Sequence, residues 1–147
     1  IIEEKKPIAV LILQGKQFFI DKKGIIFEEI GDGQAELPKI IIDGLNESLK
    51  IGQEIIDKNR LSKIIDINYR LKSEFGTQID VFEITAPDKL VVKTKEGWEF
   101  YLNSEGDTDW QLTKLGVVLE QKIPPEKRQD LEYVELRFGN FAPYKYK

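Results

Sequence analysis

The side chains able to do chemistry in this chain form a restricted set. Among its 147 residues there is no Cys, no His and no Met, which leaves carboxylates, Lys, Tyr, Ser and Thr. Without thiolate and imidazole, the strong zinc ligands, the thiol nucleophile and the usual acid–base group near neutral pH are gone. A hydrolase built on two carboxylates survives that exclusion, and two acidic clusters are its candidates. Glu105-Gly106-Asp107-Thr108-Asp109 has the look of a calcium loop. It lacks the roughly 12-residue spacing and terminal Glu of an EF-hand, and a helix starting at Thr108 explains its acids through the macrodipole. Glu28-Glu29 with Asp32 supplies a second carboxylate set, but no apolar pocket that would raise a pKa is identifiable around it. Trp98 and Trp110 offer faces on which a sugar stacks, or the edges of a core. No catalytic residue, metal ligand or cofactor is assigned.

The bulk composition narrows the classes further. Hydrophobic residues make up 41% of the chain and aromatic residues 10%, enough for a core and too many for a disordered segment. Charges are dense and nearly balanced, 22 basic against 26 acidic, and the net charge of −4 leaves no footprint for nucleic acid. No apolar run approaches the roughly 20 residues of a membrane span, and no signal peptide is visible. A chain without a starting Met is expected to be a piece of a longer protein. Richness in Ile, Lys and Glu leans towards a thermophilic source.

The elements that must position these residues are read from period and punctuation. Ile8 to Leu13, Phe18 to Ile20 and Ile25 to Phe27 are apolar runs broken by Gly15 and by Asp21-Lys22-Lys23-Gly24, which predicts strands joined by hairpin turns. Gly31-Asp32-Gly33 marks a loop, and Leu37 to Ile42 a short extended segment ending at Asp43-Gly44. Leu61, Ile64, Ile65, Leu71 and Phe75 fall at helical spacing before Gly76, which predicts a helix over 59–75. Residues 45–58 are open between helix and loop, with Gly52 against a helix. Ile79 to Thr85, Lys89 to Thr94 and Trp98 to Leu102 form an antiparallel meander, with Lys95-Glu96-Gly97 as a tight turn. Thr108 with Gln111 reads as a capping box opening a second helix over 108–122, stopped before Pro124-Pro125. Tyr133 to Phe138, the two-residue turn Gly139-Asn140 and Phe141 to Tyr146 predict a final hairpin of type II′. The expected fold class is α+β: a largely antiparallel β-sheet with two helices packed on one face and the C-terminal hairpin at the sheet edge.

Several of these pieces, in this order, resemble the membrane-distal β-domain of the bacterial FtsQ/DivIB cell-division family. The junction Glu4-Lys5-Lys6-Pro7-Ile8-Ala9 is followed by Ile20-Asp21-Lys22-Lys23-Gly24-Ile25-Ile26-Phe27, the family's "(V/I)D-x-x-G-x-(V/I)-F". Leu37-Pro38 and Gly44 come next, then a helix, then the turn Thr94-Lys95-Glu96-Gly97. A second helix carries Leu112-Thr113-Lys114-Leu115. Tyr133-Val134-Glu135-Leu136-Arg137-Phe138 matches "Y-(V/I)-D-L-R-(Y/F)", with Glu135 in place of the usual Asp. The region from Leu45 to Leu71 is longer than in the family pattern.

The resemblance implies a non-enzymatic scaffold domain over residues 8–147, with residues 1–7 as the end of a preceding POTRA strand. It implies a parent anchored by an upstream membrane helix, with this domain on the extracytoplasmic face of the inner membrane at the septum. In that family the last strand of the β-domain is where an FtsB/DivIC-type partner adds a strand, with an FtsL-type partner alongside. Pro143 in the last segment is consistent with an edge position, and an edge offers a free row of backbone groups to a partner. Phe138, Phe141, Tyr144, Lys145 and Tyr146 are therefore the candidate partner-binding residues. The competing reading is that the aromatics alternate into the core and that Lys145 and Lys147 blunt an edge. Arg137 is expected to pair with Glu135, two residues away on the same face. The alternative from another class is a carboxylate-dependent or carbohydrate-binding cell-wall domain.

Overall fold

The near-continuous apolar runs Ala9-Val10-Leu11-Ile12-Leu13 and Ile40-Ile41-Ile42 suit strands covered on both sides, and they lie inside the sheet. The structure, a computed structural model, describes residues 5–31, 36–46 and 48–147. Its strands are β1 (Ala9–Leu13), β2 (Lys16–Ile20), β3 (Ile26–Ile30), β4 (Lys39–Ile42), β5 (Ile79–Ala86), β6 (Lys89–Thr94), β7 (Glu99–Leu102), β8 (Leu131–Glu135) and β9 (Tyr144–Tyr146). Helix α1 (Lys58–Phe75) lies between β4 and β5. Helix α2 (Thr108–Gln121) and a 3₁₀ segment (Pro125–Asp130) lie between β7 and β8. All nine strands join one sheet in the order β3-β2-β1-β4-β5-β6-β7-β8-β9.

This architecture overturns the expected fold class. The sheet is mixed: β1–β4, β4–β5 and β7–β8 pair in parallel, and the other five neighbours are antiparallel. Among the described residues the helical part comes in three pieces, not two. The physical reason is connectivity. A helix between two strands carries the chain back to its starting end, so that the next strand runs the same way. α1 does this between β4 and β5, and α2 with the 3₁₀ segment between β7 and β8.

The core is one apolar cluster under the helices. Leu61, Ile64, Ile67 and Leu71 of α1, and Leu112, Leu115, Val118 and Leu119 of α2, meet Phe82, Ile84, Leu90, Val92, Trp98, Phe100 and Val134. Trp98 is fully buried, so of the two tryptophans only Trp110 has an accessible face. α1 starts where Asp57 accepts from the amides of Asn59 and Arg60, and ends at Gly76 in the left-handed conformation with φ 64°. The two helices meet where Arg70 Nη1 lies 2.6 Å from Asp109 and where Gly116 leaves room for the Phe75 ring.

Two local expectations are corrected. The cap of α2 is Asp107, which accepts from the Trp110 amide at 3.0 Å. Gln111 turns back to Asn103 instead of closing a box with Thr108, accepting from its amide at 2.7 Å and donating to its carbonyl at 3.0 Å. The final hairpin turns at Gly139-Asn140 but not as a two-residue connection, because β8 ends at Glu135 and β9 begins at Tyr144. The Asp21 turn forms as expected, with its carboxylate accepting from the amides of Lys23 and Ile25. Asp32 and Gly33, and Glu4 of the junction, lie outside the described residues.

Candidate functional site: the C-terminal edge

The segment between β8 and β9 meets the sheet through the Leu136 amide and the Pro143 carbonyl, and its other carbonyls need other donors. One side chain supplies most of them. Lys114, on the buried side of α2, reaches the carbonyls of Leu136 at 2.8 Å, Gly139 at 3.0 Å, Phe141 at 3.3 Å and Phe138 at 3.4 Å. An ammonium has three donors, so the two longer contacts share what the two shorter ones leave. Lys114 is only 6% exposed. Burial pushes its pKa below the ordinary lysine value, partly opposed by the negative charge of Glu135. The Trp110 indole adds a 3.4 Å bond to the Gly139 carbonyl, and Gly139 itself turns with φ 59°.

With its backbone held from below, the segment turns its rings outward. Phe138 is 64% exposed and Phe141 80%. Phe141 forms one wall of an apolar groove of about 280 Å³ whose other walls include Trp110, Val117 and Val118 of α2. Val117 and Trp110 are themselves exposed. Isolated exposed apolar residues are ordinary, but a contiguous set of aromatic residues marks an interaction surface.

Beyond this segment runs the edge strand. β9 pairs with β8, and among the described residues no strand pairs on its far side. The Glu135 amide donates to the Pro143 carbonyl at 2.8 Å, and the Lys147 amide to the Asp130 carbonyl at 2.8 Å. Residues 143, 145 and 147 therefore face β8, and by alternation the backbone groups of Tyr144 and Tyr146 face outward. The donor that Pro143 lacks belongs to the inner row. The outward row is complete.

The five candidate residues thus divide. Tyr144 is 38% exposed and packs edge-on against Tyr146 at 5.7 Å, and Tyr146 leans on the core cluster. Lys145 is exposed and its ammonium lies 3.4 Å from Glu132. Phe138 and Phe141 belong to the connecting segment and not to strands, tied together through Lys114. Arg137 pairs with Glu135 through two bonds of 3.0 and 3.1 Å, as expected, and its guanidinium lies over the Phe138 ring. That pairing to Glu135 raises the Arg137 pKa.

Among the described residues the acidic clusters do not converge. Asp107 is spent on the helix cap, and Asp109 on Arg70. Glu28 and Glu29 are neighbours on β3, whose side chains point to opposite faces. A groove of about 580 Å³ between α1, α2 and the 3₁₀ segment has two carboxylates on its wall, Glu74 and Glu120, but Glu74 is paired with Arg70 at 3.5 Å. What the sequence reading missed was Lys114. Its signal was a cation spaced three residues from Gln111 and four from Val118, among the apolar Leu112, Leu115, Val118 and Leu119 on the buried side of the helix.

No protein-family model matches this chain, and no curated protein matches it.

Proposed function

We propose that this chain is the extracytoplasmic β-domain of a division protein of the FtsQ/DivIB type, a non-catalytic scaffold at the septum. In this reading residues 1–7 end a POTRA domain, and the parent is anchored in the inner membrane upstream. The domain recruits an FtsB/DivIC-type partner by strand addition to β9, with an FtsL-type partner alongside. Phe138, Phe141, Tyr144, Lys145 and Tyr146 are the contact residues. The motif series from Ile20 to Phe138 supports the family. The observation that carries the mechanism is the edge itself: the outward groups of Tyr144 and Tyr146 are unpaired by any strand among the described residues, and Pro143 takes nothing from that row. Main-chain bonds along such a row give affinity, and neighbouring side-chain contacts give specificity. Exposed Phe138 and Phe141 beside the row supply apolar anchors of the kind that dominate interfaces.

The test is a pull-down with the extracytoplasmic segments of FtsB/DivIC-type and FtsL-type proteins, using the wild type and a form lacking residues 141–147. The deleted form is expected to keep its fold by circular dichroism and to lose capture of the FtsB/DivIC-type segment. Undiminished capture by a folded deletion form would refute strand addition at β9.

A further inference from the structure

We infer that Lys114 is the positioning residue of the C-terminal edge: its buried ammonium holds residues 136–142 in the one shape that presents Phe138, Phe141 and the start of β9. β8 and β9 pair as a hairpin, but a wide loop joins them instead of a two-residue turn. A two-residue turn at Gly139-Asn140 would have let the backbone satisfy itself, residue against residue. Eight residues separate β8 from β9 instead (136–143, from the strand bounds Leu131–Glu135 and Tyr144–Tyr146), bonded to the sheet at their ends through the Leu136 amide and the Pro143 carbonyl. The carbonyls of Leu136, Phe138, Gly139 and Phe141 converge on one cation within 2.8 to 3.4 Å. Hydrogen bonds from a charged donor are about twice as strong as neutral ones, and this donor is withdrawn from water. Four carbonyls aimed at one point turn the peptide planes of residues 136, 138, 139 and 141 inward. The rings of Phe138 and Phe141 project outward for that reason.

Removing the ammonium therefore has a local consequence. An apolar side chain of the same length fills the space and leaves several buried acceptors without a donor, a cost the segment escapes by opening. The core beneath does not depend on those bonds, since Leu112, Leu115, Val118 and Leu119 anchor α2 without them. The loss should fall on the edge and not on the fold.

The primary measurement is amide hydrogen exchange on Lys114→Met beside the wild type. The bonded amides of the edge, those of Glu135, Arg137, Lys145 and Lys147, are expected to exchange at least tenfold faster, while those of α1 and β5 to β7 keep their rates, since about 1.4 kcal/mol is tenfold. Unchanged exchange at the C-terminal edge overturns the inference. Equal acceleration everywhere also overturns it, because Lys114 is then a residue of global stability. Rescue separates charge from packing. The chain has no cysteine, so Lys114→Cys provides a unique thiol that can be modified in the unfolded protein before refolding. Aminoethylation, which restores an ammonium at nearly the lysine length, is expected to return the slow exchange, and a neutral alkyl cap of similar length is not. Equal protection with both caps overturns the inference.

The binding arm rests on the proposed function. Lys114→Met is expected to weaken capture of the FtsB/DivIC-type segment at least tenfold, at a temperature where the core remains folded. If the wild type itself captures nothing, the proposed function fails, and the exchange measurement still decides the role of Lys114.

Discussion

Tyr101 of β7 donates to Glu99 at 2.7 Å and stacks on Tyr133 of the neighbouring strand at 5.5 Å between ring centres. Burial, and after it the bond to Glu99, holds its pKa well above the usual 10.0 of a phenol. The neutral phenol is thus the form favoured by folding. Its contribution is complete below the unfolded value near 10, and is lost as pH rises through the folded value, because the unfolded chain gives up its proton first. Tyr101→Phe cannot titrate. The stability difference between wild type and variant, from urea midpoints, is expected to shrink between about pH 8 and about pH 11. A difference that grows over that window contradicts this account of Tyr101. At the other end of the sheet, Gly24 closes the Asp21 turn with φ 83°, and a Cβ there would fall 1.9 Å from the Ile56 carbonyl oxygen. Left-handed strain and a clash with backbone act together, so Gly24→Ala is expected to cost about 3 kcal/mol or more in denaturant unfolding. A loss below about 1 kcal/mol contradicts that packing.

At the scale of the element, the start of α2 distinguishes two caps. Asp107 holds the Trp110 amide, and Thr108 is the first helical residue. Asp107→Ala is expected to lower thermal stability by about 1 kcal/mol, and Thr108→Ala by less than about 0.5 kcal/mol. The reverse order would restore the box read from Thr108 and Gln111. That misreading shows where local pattern stops being informative. Two side chains three residues apart satisfy the spacing of a box, but whether Gln111 turns to the cap or to Asn103 depends on a loop that folds back over it. Features decided within one turn were legible: α1 begins one residue before the expected 59 and ends at the expected Phe75, and Gly97 closes the β6–β7 turn with φ 99°. The Glu135–Arg137 pair was legible for the same reason, since it depends only on two side chains two residues apart. The turn of the C-terminal hairpin was legible too, but the width of its loop was not, because that depends on a lysine arriving from α2. The proposed contact residues Tyr144 and Tyr146 were placed on an edge through Pro143, a local signal. Phe138 and Phe141 were placed in strands they do not occupy.

At the scale of the whole molecule, the order of strands was beyond local reading. β1 sits between β2 and β4, and β4 runs parallel to both β1 and β5. The apolar runs of β1 and β4 signalled strands buried in a sheet, but strand direction is set by crossovers that no single segment encodes. That order leaves β9 at one end, three residues long, with Lys145 inside it and Lys147 after it, a combination that limits unspecific pairing while leaving one row open. Tyr144→Pro separates the row from the rest of the strand. It removes an outward donor and keeps the inner row, so the thermal midpoint is expected to move by no more than a few degrees. Capture of the FtsB/DivIC-type segment is expected to fall at least tenfold, the loss of one main-chain bond and the edge's continuity. Full capture by a folded Tyr144→Pro protein would place the interaction elsewhere. The most direct measurement is residue-resolved amide exchange with and without a saturating FtsB/DivIC-type segment. Strand addition predicts new protection at the Tyr144 and Tyr146 amides, with Lys145 and Lys147, already bonded to β8, little changed. A bound partner that leaves Tyr144 and Tyr146 exchanging as in the free domain would contradict it.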